Sequence, residues 1–225
     1  MHRISLFEAG LGVTLALGLA MVSACQRDEE PLLCGDLGAG DLVITEVRGG
    51  PSIVDNDGQW IELYNASGGS VDLEGLALTV DSVGGSQHDR VLVRRSQTVA
   101  ANGYVVIGKF ADGTQPSHVD VGWGTTPSIP TDGKLTLSCA DEIDHLVYTG
   151  LPDPSQGMDH GPGDPAPPGK GTYALGLVPP TATGNDDATN WCTDASKTLG
   201  PCDGQSNCLE YYKGSPGEPN PACTP

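Results

Sequence analysis

Aromatic residues are scarce in this 225-residue chain, with two Phe and three Trp, so any core must rest on Val, Leu and Ile. Basic residues are scarce too. Eleven Lys and Arg stand against 29 Asp and Glu, a net charge of −18. Such a surface repels nucleic-acid phosphates and anionic lipid headgroups and suits cations, basic partners or simple solubility. Beyond the N-terminus there is no long apolar run and no helical periodicity. Catalytic signatures are missing as well: neither GxSxG nor HExxH occurs, and the five histidines (His2, His88, His118, His145, His160) are scattered. A nucleophilic centre would need Ser or Cys near a His with an orienting acid. Zinc would need a CxxC pair or a Cys/His cluster, and the chain has neither. Gly and Pro, by contrast, are abundant at 32 and 18 residues, which implies many turns.

The N-terminus carries a different signal. Arg3 and the amino group give a weakly positive start, although Glu8 is unusual there, and Leu11 to Val22 is a short apolar stretch. It falls short of the roughly 20 apolar residues of a membrane span. It ends in Val22-Ser23-Ala24-Cys25, the pattern of a bacterial lipobox. Residues 1–24 are then a lipoprotein signal peptide, and Cys25 becomes the acylated first residue of the mature chain. Each buried CH₂ of an acyl chain contributes roughly 0.8 kcal/mol of membrane binding, so three chains form a lasting anchor. Gln26, where an Asp would retain the protein at the inner membrane, favours the outer membrane.

Six further cysteines remain: Cys34, Cys139, Cys192, Cys202, Cys208 and Cys223. An even number in an exported chain reads as three disulfides, and spacing alone leaves every pairing open.

Residues 25–40, rich in Asp, Glu and Gly, read as a flexible tether. Strand signals follow over 41–48, 59–66, 71–81 (with a Gly break), 88–95, 98–99, 104–110, 119–123, 134–139 and 143–149. In QWIELYNA, Ile61 and Leu63 alternate with Trp60, Glu62 and Tyr64. Asn102-Gly103 marks a turn or a strand entry. Seven or eight short strands with turn signals about every ten residues point to an all-β sandwich over 41–150. Residues 151–225, rich in Pro, Gly and Cys, are expected to form an irregular extension packed on it and stapled by disulfides.

Three blocks give the sandwich a closer likeness. Val43-Ile44-Thr45-Glu46-Val47, then Trp60 to Asn65, then Val71 to Leu76 follow one another as in the lamin-tail domain, which this segment resembles. The closing stretch adds to the likeness through Asn190-Trp191-Cys192 and Gly214-Ser215-Pro216-Gly217-Glu218-Pro219-Asn220. The resemblance implies an immunoglobulin-like β-sandwich and a binding or tethering role. Members carry Glu before the Trp of the second strand, where this chain has Gln59. The family tends to staple its closing motif, which implies Cys192–Cys223. Cys202–Cys208 then forms a local loop nested inside, and Cys34–Cys139 remains.

Chemistry is sparse. Asp55-Asn56-Asp57-Gly58 is the candidate Ca²⁺ site, through Asp55 and Asp57, though the same residues are ordinary turn formers. No other cofactor is implied. Gly163 to Gly171 lacks the spacing and backbone donors of a phosphate loop. Glu62 and His145 read as structural strand residues. The expected protein is a non-enzymatic lipoprotein anchored in the outer membrane, facing the periplasm or the cell surface. It would bind a protein or polysaccharide or support the cell envelope; the alternative is an accessory subunit of an extracellular hydrolase or nuclease.

Overall fold

The structure, a computed structural model, describes residues 34–35, 37–49, 58–130, 132–149, 151, 172–194, 198–199 and 212–223. In chain order the strands are β1 (Leu42–Arg48), β2 (Trp60–Asn65), β3 (Val71–Asp72), β4 (Ala77–Ser82), β5 (His88–Leu92), β6 (Thr98–Val99) and β7 (Tyr104–Gly108). They continue as β8 (Val121–Gly122), β9 (Gly133–Ser138), β10 (Glu142–Val147), β11 (Thr172–Leu175), β12 (Trp191–Asp194), β13 (Thr198–Leu199) and β14 (Tyr212–Lys213). A short α-helix, α1 (Ala182–Asn185), starts at Thr181, whose hydroxyl accepts from Gly184 N.

Two sheets make the sandwich. The larger has the order β12-β11-β1-β2-β7-β8, and the smaller β10-β9-β4-β5. All their pairings are antiparallel except β7 with β8. The pairs β13-β14 and β3-β6 stand apart. One continuous core fills the space between the sheets, with Ile44, Ile61, Leu63 and Ile107 from the larger against Leu78, Leu135, Leu137 and Leu146 from the smaller. Each such side chain contributes roughly 1.5–3 kcal/mol by leaving water. Strand β9 shows the period of two directly, alternating buried and half-buried residues.

Strands β1 and β2 do not alternate: every residue in both is buried. Their inner faces carry the core. On the outer face Trp60 joins Val106, Phe110 and Val119 in a second apolar cluster. The Asn102-Gly103 signal marks a strand entry rather than a hairpin, because β6 pairs with β3 while β7 pairs with β2. Asn102 takes a φ of 58°, a conformation Asn tolerates better than most residues, and its side chain accepts from the Tyr64 hydroxyl at 2.9 Å.

Two expectations change. The tether expected over 25–40 gives way to the sandwich within its own span. Cys34 is buried in a disulfide with Cys139, Leu37 packs against the core, and Gly40 N donates to Ile143 O. The extension after residue 150 is stapled, through Cys192–Cys223, but it is not wholly irregular. Strand β11 pairs with β1 and β12 with β11, and Tyr173, Leu175 and Trp191 enter the core. The open edge of β1 is the physical reason, since its unpaired main-chain groups need partners.

Candidate functional site

A β-bulge in β1 organises the closure of the domain. The register with β2 shifts between Ile44 and Glu46, leaving Thr45 as the extra residue. The main-chain groups around it are taken up by side chains from distant segments. Ile44 N donates to Asp144 Oδ2 at 2.7 Å, and Asn185 Nδ2 donates both to that oxygen (2.7 Å) and to Ile44 O (3.2 Å). Thr45 O accepts from Asn220 Nδ2 at 2.8 Å. Burial pushes the Asp144 carboxyl up to about 7.

Beside the bulge lie three buried carboxyls. Glu62 Oε1 accepts from Thr45 Oγ1, and Oε2 from Gly217 N, each at 2.7 Å. Glu46 Oε1 accepts from Thr172 Oγ1 and from Ser215 N, while its Oε2 has no hydrogen-bond partner. Asp194 Oδ2 lies 2.6 Å from Ser215 Oγ. Burial pushes Glu62 up to about 8; burial first and the Glu62 charge second push Glu46 well above the usual carboxylate range. The three carboxyls accept hydrogen bonds that anchor the segment 214–220, the structural role expected of Glu62. Among the described residues, no group of three or more His, Cys, Asp or Glu has the geometry to hold a metal ion.

The sequence-derived site residues divide. Cys34–Cys139 and Cys192–Cys223 are disulfides, with Cα atoms 5.9 and 5.6 Å apart. Cys25, Asp55, Asp57, Cys202 and Cys208 lie outside the described residues. Asn65, which opens a glycosylation-like triplet, is buried. Its amide nitrogen reaches the carbonyls of Gly69, Val99 and Ala100, and its oxygen accepts from Ser67. The described histidines stay apart. His145 pairs with Glu142 at 2.7 Å, His88 with Asp81 at 2.5 Å, and His118 stands edge-on to Trp60. Burial, then the Arg48 charge, pushes His118 down to about 4.

A groove that the sequence did not announce opens at the other side of the sandwich, beside edge strands β5 and β8. It has a volume of about 430 Å³ and is lined by Arg90, Arg94, Arg95, Leu92, Trp123 and Asp112, among others. Three of the chain's 11 basic residues therefore meet at one cavity of a protein with net charge −18. Arg95 lies 3.6 Å from Asp112 and donates to Asp120 O at 3.3 Å. Trp123 is half-buried, its indole N–H bonded to Pro127 O. Local excess positive charge beside an aromatic surface suits an anionic ligand. The run Arg90-Val-Leu-Val-Arg94-Arg95 was the available signal, hidden by the overall acidity.

With two facing sheets, a bulged first strand and a C-terminal closure in place, the architecture is that of an immunoglobulin-like domain. The profile of the Lamin Tail Domain matches residues 37–150, half of the chain, and the protein belongs to that family. The domain is a generally non-catalytic binding or structural module. No curated protein matches the chain.

Proposed function

We propose that the protein is a lipoprotein, acylated at Cys25, which holds a non-catalytic lamin-tail domain close to the outer membrane to bind a protein or polysaccharide of the cell envelope. The observation that supports this most directly is the Cys34–Cys139 disulfide. It fixes the chain to the end of β9 only nine residues after the lipobox cysteine. Nine residues span at most about 30 Å when fully extended. A domain fastened so near its anchor works at the membrane surface rather than at a distance. Phase partitioning of the full-length protein, produced in a lipoprotein-processing bacterium, tests the reading. The wild type should enter the detergent phase, and Cys25→Ser should remain aqueous. Equal partitioning of the two would refute the anchor.

A further inference from the structure

We propose that the groove beside β5 and β8 binds an acidic peptide in extended form, added as a further strand along β5. The inference deepens the binding role proposed above and is independent of the lipid anchor.

Both strands are sheet edges. Among the described residues β5 pairs only with β4, and β8 only with β7. Register shows which main-chain groups of β5 remain open. Ser82 N donates to Gln87 O, and Val93 N to Leu76 O. In an antiparallel ladder the residues bonded to the partner alternate with residues facing away. Gln87, Asp89, Val91 and Val93 therefore bond toward β4, and Arg90 and Leu92 turn their N–H and C=O groups outward. An incoming strand finds there the donors and acceptors that strand addition uses, while side-chain pockets supply selectivity.

Charge selects the occupant. Arg90, Arg94 and Arg95 surround the groove, and Arg95 lies 3.6 Å from Asp112. Guanidinium forks bind carboxylates in a two-point fashion that a single ammonium cannot reproduce. Leu92 and the half-buried Trp123 add apolar surface between the charges. A segment alternating Glu with aliphatic residues matches the combination of free edge, arginines and apolar lining. A second copy of this chain does not, because two bodies of charge −18 repel. Arginines on an edge strand also discourage unwanted pairing, so the test must separate protection from recruitment.

The probe is a fluorescein-labelled octapeptide of alternating Val and Glu, titrated by anisotropy against the detergent-solubilised full-length protein. Saturable binding is expected, weakened at least tenfold by Arg90→Glu with Arg94→Glu and by 0.5 M salt. Leu92→Pro removes an outward N–H while leaving Arg90, Arg94 and Arg95 in place, and it should weaken binding at least fivefold. Because a proline can disturb the strand, hydrogen exchange on the wild type gives a second reading: the amides of Arg90 and Leu92 should gain protection with peptide. The Cys25→Ser protein should bind equally well, which separates this result from failure of the anchor. Absence of saturable binding at millimolar peptide would overturn the proposal and leave the arginines as edge protection. Tighter binding of oligogalacturonate than of peptide, without amide protection, would overturn it in favour of an acidic glycan.

Discussion

Asn220 donates its side-chain amide to the carbonyl of Thr45 across 2.8 Å, although 175 positions separate the two residues. Thr45 is the extra residue of the bulge in β1, so its carbonyl lies where the ladder with β2 is disrupted. A buried carbonyl without a partner costs about 1–3 kcal/mol. The C-terminal segment removes that cost, and Asn185 and Asp144 do the same for Ile44. The chain end is thus a working part of the sandwich. The motif Gly214 to Asn220 also places Gly217 N on Glu62 and Ser215 beside Asp194 and Glu46, so one short stretch satisfies the bulge and covers the carboxyls together.

The buried carboxyls set a pH dependence whose sign is fixed by burial. Glu62 is raised from 4.5 to about 8, and Glu46 is raised with it. Between those values the unfolded chain releases protons that the folded chain keeps. The native state therefore binds more protons, and stability falls as pH rises through this window. Asp144, raised to about 7, acts in the same direction. Urea unfolding should show the protein more stable at pH 5 than at pH 8, by several kcal/mol. Glu62→Gln should flatten the slope. Stability that stays flat from pH 5 to pH 8 would show that these carboxyls are already ionised in the native state at pH 5.

Gln59 makes a paired contact with the main chain of Ile129. Its Oε1 accepts from Ile129 N at 2.7 Å, and its Nε2 donates to Ile129 O at 3.2 Å. An amide can do both at once, whereas an ionised carboxylate only accepts. At a position only 2 % exposed, Gln59→Glu would set a charge against a carbonyl. The expected loss is about 2–4 kcal/mol at neutral pH, recovered in part in acid as the new carboxyl takes a proton. Chemical denaturation at pH 5 and pH 7.5 checks both. A variant as stable as wild type at pH 7.5 would mean that the loop around Ile129 rearranges freely.

The sandwich was legible because its strands are short, aliphatic and separated by turn residues: the expected span 41–48 became Leu42–Arg48, and 134–139 became Gly133–Ser138. Strands β11 and β12 were not. TYAL and WCTD are four residues each, too short to show a period, and their stability comes from the exposed edge of β1 rather than from their own pattern. Glu46 and Glu62 could be read as strand residues, but their depth could not. That depth depends on a segment more than 150 positions away folding over them. The groove escaped notice because Trp123 lies far from Arg90 in sequence, and only the meeting of two sheet edges brings them together.

The two disulfides differ in what they hold, and their removal should show it. Cys34–Cys139 closes a separation of 105 residues, and Cys192–Cys223 one of 31. Loop-closure entropy in the unfolded chain ranks them at roughly 4.5–5 and 3.5–4 kcal/mol. The folded state points the same way. Without the second bridge, the segment 214–220 is still held by Glu62, Asp194 and Thr45. Without the first, the residues before β1 keep the Gly40–Ile143 hydrogen bond and the packing of Leu37. Replacing Cys34 and Cys139 by Ala should therefore cost about 1 kcal/mol more than replacing Cys192 and Cys223. Denaturant midpoints of the two double variants give the comparison. Non-reducing peptide mapping of the wild type must first show Cys34 linked to Cys139 and Cys192 to Cys223; any other partner for Cys34 would remove the basis of the ranking. If the Cys192/Cys223 variant proves the less stable, the closing segment depends on its staple more than on the hydrogen bonds beneath it.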